Sequence, residues 1–509
     1  MNMVKSLLLG SAAGIVAVAG AQAADLPVKA KPVEYVKICS AYGAGFYYIP
    51  GTDICLRVGG YVWSEFEVNN LGAGSGDVTS GSIGGDHIRN RNDDWTSFRV
   101  RFDMVFDART NTEYGTLRSY ASVGWQWTTN LDGFQQQQLP ASTGNYAWYY
   151  DRAFIQFAGL TFGYVGSFFD FDPSLILSQQ NSKSFKFTPA IAYTAQLGNG
   201  VSASVSMEDS TTRRTNITTF ASVGTTVFGF YGPSSNITVA PNLLVVPVAI
   251  QDSGFGSTVY AGQYMPDFVA NLRVDQAWGD AQISGAVHQL KTSINTATPL
   301  FLQGTATPGT GLPWAPNKYG YAALAGVNFK LPALGAGDSF QVEGAWSRGA
   351  VDYTGLSANP YSNNSSLGYR KGAIGPVLDL FDSFVDETGQ HLTKAWSVNV
   401  ELRHFWTPTV RSSIAYGHNV VTQPIQSQIS AVAGASPGQV GFEPSGKIDQ
   451  VSANLIWSPV PKLDLGVEAL WWRLKTDCGG EDAVTCAADP IRGKSTSTIG
   501  GIFRARRDF

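Results

Sequence analysis

The sequence predicts an all-β fold, a 16-stranded antiparallel transmembrane β-barrel. Three observations predict it. Segments of alternating apolar and polar residues recur 16 times, and a period of two puts the two sets on opposite faces of a strand. The connections are short and long in turn, as expected for short periplasmic turns at one rim and long extracellular loops at the other. After residue 23, no run reaches the roughly 20 apolar residues that a membrane helix needs.

The clearest of these segments is Ser97–Asp107, with the sequence SFRVRFDMVFD. One of its faces carries the charged residues Arg99, Arg101, Asp103 and Asp107. The other face is apolar and consists of Phe98, Val100, Phe102, Met104 and Phe106. A soluble sandwich could use such a strand once at its surface. A chain that repeats it many times needs lipid against one face and water against the other.

The first 23 residues have the pattern of a secretory signal peptide. Lys5 precedes an apolar run, and Ala21-Gln22-Ala23 supplies the small residues of a cleavage site before Ala24. A single membrane anchor is the alternative interpretation. We expect residues 1–23 to be removed on export and residues 24–55 to form a periplasmic lead-in.

The cysteines form two close pairs, Cys39 with Cys55 and Cys478 with Cys486. In an exported chain such pairs predict two local disulfides. Zinc binding is the competing interpretation, but no histidine or further cysteine lies near either pair. We expect Cys39–Cys55 to tie the lead-in to the first strand and Cys478–Cys486 to pin the last loop.

The barrel is predicted to occupy residues 56–509. Long loops are expected at about 69–96, 128–147, 167–188, 209–264, 291–318, 352–393, 418–446 and 475–496. Trp278, Trp406 and Trp457 each lie beside a short turn, where an aromatic girdle at the membrane interface would place them. Scattered core tryptophans are the alternative.

Several stretches of the sequence resemble one known family. The run AYGAGFYYIPGTDICLRVGGYV, the signal KSLLLGSAAG…AQAAD, the segment AFIQFAGLTFGYVGSFFDF and the closing GGIFRARRDF are similar to the porin family of alphaproteobacterial outer membranes. The resemblance covers the whole chain and implies 16-stranded, trimeric general diffusion channels.

The C-terminal strand resembles the signal by which the family's barrels are delivered to the barrel assembly machinery. Phe503 and Phe509 share its outward parity, and Phe509 is the last residue. Arg507 departs from the pattern, because an apolar residue or Tyr is more usual there. Near the interface a positive charge costs only about 0–1 kcal/mol.

The third long loop, 167–188, is the expected constriction. It begins SFFDFDPS, resembles the inward-folded constriction loop of the family, and brings Asp170 and Asp172 with aromatic residues that can pack it against the wall. Opposite it we expect arginines on the lumen parity of the first four strands: Arg57, Arg99, Arg101, Arg118 and Arg152.

Two roles stay open for these arginines. Acids on one side of the pore and arginines on the other would set a transverse field that orients dipolar solutes. Alternatively, the arginines pair with Asp103, Asp107 and Asp151 and only hold the wall together.

The expected function is a passive porin for small hydrophilic solutes and ions, with no catalytic residues, metal or cofactor. His87 with Asp86 is the nearest approach to a catalytic pair. The formal charge of −4 and the absence of a basic run argue against nucleic acid. Expected partners are outer-membrane lipid, lipopolysaccharide, the barrel assembly machinery and two further copies in a homotrimer. The alternatives are a solute-selective channel and an adhesin or structural surface protein.

Overall fold

A computed structural model describes most of the chain. It covers residues 37–68, 96–129, 145–178, 182–219, 260–292, 317–356, 366–368, 377–386, 389–424, 445–478, 486–487 and 492–509. The predicted signal peptide, 1–23, and the first part of the lead-in lie outside these residues, as do Asp86 and His87. None of the described helices is long and apolar enough to cross a membrane.

Residues 37–57 are the described part of the first of two compact units. Within them, a short strand, Tyr47–Tyr48, pairs antiparallel with Leu56 and Cys55. The disulfide Cys39–Cys55 joins the lead-in to this pairing, and its sulfurs are buried with Phe46. The predicted link between the lead-in and the start of the first strand is therefore present.

The described residues between 58 and 509 belong to the second unit, which contains the barrel strands apart from residues 55–57 at the start of the first one. In chain order the strands are β1 (Cys55–Val68), β2 (Thr96–Thr112), β3 (Gly115–Thr128), β4 (Asn145–Phe157), β5 (Leu160–Gly166), β6 (Phe187–Gly198), β7 (Val201–Glu208), β8 (Asp267–Gln276), β9 (Gly279–Leu290), β10 (Lys318–Lys330), β11 (Ser339–Arg348), β12 (Lys394–Thr407), β13 (Val410–Thr422), β14 (Gly446–Val460), β15 (Leu463–Thr476) and β16 (Ser495–Asp508).

The sheet closes on itself. Each strand pairs with the next one in the chain, and β16 returns to β1 in a register that runs from Tyr61↔Asp508 to Val68↔Gly501. Closure leaves no sheet edge with unpaired backbone groups, as a strand structure in lipid requires. The predicted 16-stranded antiparallel barrel is confirmed.

The two faces of each strand differ in the predicted way. On β2 the outward Phe98 is 54% exposed while its neighbour Arg99, on the lumen face, is 3% exposed. The same contrast separates Ile283 from Gln282 on β9. Polar residues therefore face inward and apolar residues face outward, the reverse of a soluble protein.

The strands end at two unlike rims, which we call the turn rim and the loop rim. At the turn rim, connections such as Glu113–Tyr114 between β2 and β3 are short. Trp278, Trp406 and Trp457 lie at this rim and are exposed. They belong to an outward aromatic girdle and not to a core.

Some elements extend beyond the predicted segments. Strand β13 continues to Thr422, inside the range 418–446 that we predict as a loop, because Val420 and Val421 still pair with Lys447 and Gly446 of β14. Beyond β15, the disulfide Cys478–Cys486 is present as predicted and closes a loop segment at the loop rim.

A glycine at the turn between β8 and β9 allows close strand contact. Gly279 has φ +145°, and a Cβ there would lie 1.9 Å from the carbonyl oxygen of Asn328. We expect Gly279→Ala to lower the free energy of unfolding by about 1–3 kcal/mol, since backbone strain of this kind costs that much. Urea unfolding in lipid vesicles would measure the loss. Gly285→Ala is the control on the same strand, because its Cβ would find its nearest atom at 3.9 Å. Equal stability of the two variants would contradict the prediction.

Candidate functional site

A loop segment connects β5 to β6 and crosses the lumen. Its described parts are residues 167–178 and 182–186, which we call the inner segment. It contacts lumen-facing side chains not only on neighbouring β7 but also on β11, β12 and β15, which lie on the other side of the ring. The inner segment therefore lies within the barrel.

Four buried glutamates hold this segment through its backbone. Each belongs to a different strand, points into the lumen and accepts a hydrogen bond from a backbone N–H of the inner segment. The pairs are Phe168 N to Glu208 (2.9 Å), Ser184 N to Glu343 (3.0 Å), Leu175 N to Glu401 (2.5 Å) and Ser178 N to Glu468 (2.9 Å). Hydrogen bonds to a carboxylate are roughly twice as strong as neutral ones, so these four glutamates are the main groups that hold the inner segment in place.

A lysine balances part of this negative charge. Lys183 is buried, its Nζ lies 3.7 Å from Glu401, and it donates to Gln341 at 2.6 Å. Buried carboxylates without a nearby cation are costly. Lys183 of the inner segment therefore supplies a positive charge that offsets part of the negative charge of the wall glutamates.

Two aromatic side chains pack the inner segment against the wall. Phe169 is fully buried, with its ring centre 4.7 Å from that of Tyr353. Phe171 lies over Gly326 of β10, where a Cβ would come within 2.4 Å of the ring. The aromatic residues beside Asp170 in the sequence therefore pack against complementary surface on the wall.

The two predicted loop acids each meet an arginine, but not one of the predicted five. Asp170 accepts hydrogen bonds from Ser184 Oγ, from Lys186 N and from Arg213, each at 2.6 Å. Asp172 forms an ion pair with Arg273 of β8 at 3.0 Å. Both carboxylates therefore fix the inner segment to its own side of the barrel.

Arg213 links the inner segment to the loops above it. Its guanidinium contacts Asp170 at 2.6 Å and Asp352 at 3.2 Å, and it is fully buried. Burial opposes its charge, but the two carboxylates outweigh that effect and raise the pKa of Arg213 above its ordinary value. The residue remains a cation at any physiological pH.

A second buried cluster lies at the loop rim. His288 Nδ1 contacts Asp267 at 2.8 Å, and its Nε2 lies 3.2 Å from Tyr260 Oη, which donates to Asp382 at 2.6 Å. Tyr353 Oη donates to Asp267 at 2.7 Å. These side chains come from β8, β9 and three loop segments, so the cluster joins the loops to the barrel.

The predicted arginines of β2 to β4 lie on the lumen wall with local partners. Arg99 and Arg101 both donate to Gln126 Oε1, at 2.8 and 2.7 Å. Arg118 donates to Asp107 at 3.0 Å. Arg152, 3.6 Å from Asp151, keeps 43% of its side chain exposed.

Arg57 belongs to the unit of residues 1–57. Its guanidinium lies 5.4 Å from the ring centre of Phe46, and the residue is exposed. Among the described residues, no group of three or more His, Cys, Asp or Glu is placed to bind a metal.

The last strand adds two arginines that the sequence reasoning missed. Arg504 lies 3.8 Å from the ring centre of Trp63 and forms an ion pair with Glu65, while Arg506 lies 4.2 Å from the ring centre of Tyr61. Both occupy the lumen parity of the closing strand. This parity is the sequence signal that predicts a lumen position for both arginines.

A stacked aromatic pair also faces the lumen. The rings of Tyr120 and Phe154 are 4.9 Å apart and nearly parallel, at 14°. The guanidinium of Arg118 lies 5.0 Å from the Tyr120 ring, and that of Arg152 lies 5.5 Å from it. The wall of β3 and β4 therefore combines planar apolar surface with positive charge.

A solved structure with the same fold is known. The outer membrane channel DcaP of Acinetobacter baumannii has a TM-score of 0.55 to this chain, covering 91% of it and 99% of the channel at 15% sequence identity. At that identity the likeness concerns the fold alone.

Related sequences come from the genus Brucella. Porin Omp2b of Brucella melitensis is 38% identical over 221 residues, 40% of this chain and 54% of the porin. Porin Omp2a of Brucella ovis is 37% identical over 222 residues, 40% of this chain and 59% of the porin. The chain thus spans about half the length of the relatives it matches. A family model described as a porin subfamily matches residues 25–499, nearly the whole sequence, and the chain belongs to that family.

Proposed function

We propose that the protein is a passive diffusion channel through which small hydrophilic solutes and ions cross the bacterial outer membrane. Its family is one of outer-membrane proteins. The observation that carries the proposal is the closed barrel with an apolar outer face and a polar lumen, because such a wall separates lipid from water. The proposal includes no catalytic step and no cofactor.

The constriction in this proposal lies between the inner segment and the wall of β1 to β4. Asp170 and Asp172 hold the segment in place through Arg213 and Arg273. On the open side, Arg101, Arg118 and Arg152 are the arginines with exposed surface. The pairing of Arg118 with Asp107 supports a wall-holding role, whereas the exposure of Arg152 supports a role in the field.

The other two predicted arginines, Arg57 and Arg99, have a smaller part in the same proposal. Arg99 is buried and shares Gln126 with Arg101, so it supports its neighbour more than it meets solutes. Arg57 lies beside Phe46 in the lead-in unit.

Assembly and partners complete the proposal. Phe503 and Phe509 are exposed on the last strand, and the Phe509 ring stacks on Phe102 at 6.3 Å. We propose that they serve as the assembly signal read by the barrel assembly machinery. We also propose a homotrimer surrounded by outer-membrane lipid and lipopolysaccharide.

A second candidate is a channel selective for anionic solutes with a planar apolar part. The stacked Tyr120 and Phe154 between Arg118 and Arg152 favour it, since rings and guanidinium groups bind such solutes together. Under this candidate, benzoate blocks the current saturably and Tyr120→Ala raises the blocking constant. Acetate, which carries the charge without the ring, is the control solute. If the block rises linearly with benzoate concentration and Tyr120→Ala does not change it, the second candidate is wrong and the passive channel remains.

Removing the hydrogen bonds that hold the inner segment should widen the pore. We expect Glu401→Ala with Glu468→Ala to raise single-channel conductance and current noise, because each carboxylate bond to the segment contributes about 1.5–3 kcal/mol. Planar bilayer recordings would measure both. Glu113→Ala, an exposed acid in the turn after β2, is the control. Conductance and noise equal to the parent protein would show that the segment does not limit the pore.

The arginine wall should set the ion preference. We expect Arg101→Ala with Arg152→Ala to shift selectivity toward cations. A unit charge about 8 Å away in water contributes about 0.5 kcal/mol, with opposite sign for cations and anions, so each lost charge should change the cation-to-anion permeability ratio about fivefold. Reversal potentials in a salt gradient would measure the shift. Arg507→Ala removes an exposed outward arginine instead and should have no effect. An unchanged reversal potential in the double variant would overturn the proposed role.

A further inference from the structure

The lumen side of four neighbouring strands becomes apolar near the loop rim. On β15 the change comes directly after Glu468, the residue that holds the inner segment. The apolar patch consists of lumen-facing residues of β12 to β15: Ala395, Val421, Ile448, Leu470, Trp472 and Leu474. An open, water-filled mouth would expose these side chains at a cost in free energy. All of them are buried, so another part of the chain covers them.

Two loop segments cover this patch, residues 349–356 and 377–386. Their apolar side chains pack on the patch and are fully buried: Val351, Leu356, Leu378 and Leu380. The contact with β14 is close, because a Cβ on Gly446 would lie 3.1 Å from a methyl carbon of Leu378. Since the patch faces the lumen, both segments lie inside the mouth of the barrel.

A third loop segment joins the first two. Ile217–Thr219 pairs in parallel with Ser383–Asp386. Ile217 is fully buried and packs with Leu290 on the lumen parity of β9. We call residues 215–219, 349–356 and 377–386 the rim plug. It lies on the loop-rim side of the inner segment.

One carboxylate connects the three segments of the rim plug. Asp382 is fully buried and accepts from the backbone N–H groups of Thr215 at 3.0 Å and Val351 at 2.8 Å. The hydroxyl of Tyr260 donates to the same carboxylate at 2.6 Å. A buried carboxylate without a nearby cation is costly, so the plug in this position needs a positive charge close to Asp382.

A buried histidine lies between Asp382 and the barrel wall. Nδ1 of His288 lies 2.8 Å from Asp267 of β8, and its Nε2 lies 3.9 Å from Asp382. Among the described residues, the charged or titratable groups that face His288 are these two carboxylates, Tyr260 and Arg214, whose guanidinium lies 4.7 Å from the Tyr260 ring centre. With a protonated imidazole the charges of this group balance. With a neutral imidazole one negative charge stays uncompensated.

The imidazole is the member of this group that changes charge near neutral pH, since histidine ordinarily titrates at roughly pH 6.5. Burial and the Asp382 carboxylate raise the pKa of Tyr260 well above its ordinary value, so its hydroxyl keeps its proton and donates to Asp382. The imidazolium meets both carboxylates only while the plug is seated, because Asp382 belongs to the plug. Proton binding and seating therefore favour each other, and a rise in pH favours release.

We propose that the rim plug is a second gate of the channel, separate from the inner segment, and that the imidazolium of His288 latches it by pairing with Asp382. Loss of the proton from His288 releases the plug and opens the mouth of the lumen. The effect on current rests on the proposed channel function, whereas the seating of the plug does not depend on it.

Thiol labelling of full-length protein in detergent tests the latch without any current. The four native cysteines form two disulfides, so a thiol introduced by Leu378→Cys reacts alone with a water-soluble maleimide. Leu378 is fully buried between the plug and the wall, and its labelling therefore requires release. Tyr264→Cys, at a loop position that is 78% exposed, measures the intrinsic reactivity of a thiol at each pH.

The ratio of the two labelling rates should depend on pH. We expect it to rise at least about tenfold from about pH 6 to about pH 9, since one linked proton changes the released fraction up to about tenfold per pH unit. A ratio that stays constant over this range would overturn the proposal.

Two variants remove the latch, and a third is the matched control. Asp382→Asn and His288→Gln, each combined with Leu378→Cys, should label rapidly at both ends of the pH range. His404→Gln breaks a histidine–aspartate pair at the turn rim, where His404 Nδ1 lies 2.6 Å from Asp338, and should keep the pH dependence of Leu378→Cys alone. If one latch variant does not fold, the other decides. Slow labelling of a folded latch variant at the lower pH would overturn the proposal.

Planar bilayer recordings test the gate itself. Single-channel conductance should rise with the same pH dependence as labelling. A disulfide between Leu378→Cys and Gly446→Cys should hold the conductance at its low-pH value. Conductance that stays constant while labelling rises would overturn the gate. A protein that never conducts but labels with the expected pH dependence would overturn the channel function and support the latch.

Discussion

Backbone hydrogen bonding in lipid is the constraint on which the rest of this structure depends. An unpaired N–H or C=O in hydrocarbon costs several kcal/mol, and β16 removes the last free edge by pairing with β1. Once the sheet is closed, its outer face must be apolar and its inner face is free to be polar. The exposed Phe98 beside the buried Arg99 is the local form of that rule.

The lumen then poses the opposite problem, because a polar interior must find partners for its charges. Carboxylates on β7, β11, β12 and β15 are matched by backbone N–H groups of the inner segment, and Lys183 supplies a cation among them. Asp170 and Arg213 extend the same network to the loops. The wall and the inner segment thus satisfy many of each other's polar groups.

The outer surface shows a related asymmetry. At the loop rim the outward faces of β11 to β15 are rich in cations, and the described outward faces of β1 to β8 have none. Basic side chains near a membrane surface interact favourably with anionic headgroups.

The sequence by itself determined the number of strands, their faces and the two disulfides. Period-two alternation and short cysteine spacing are local signals, and closure follows from them. The tertiary structure alone decided which charges meet. Asp170 pairs with Arg213 and Asp172 with Arg273, while Arg99 and Arg101 share Gln126. These partners come from distant strands and loops, so their pairing depends on where the inner segment lies, and no local pattern in the sequence encodes that position.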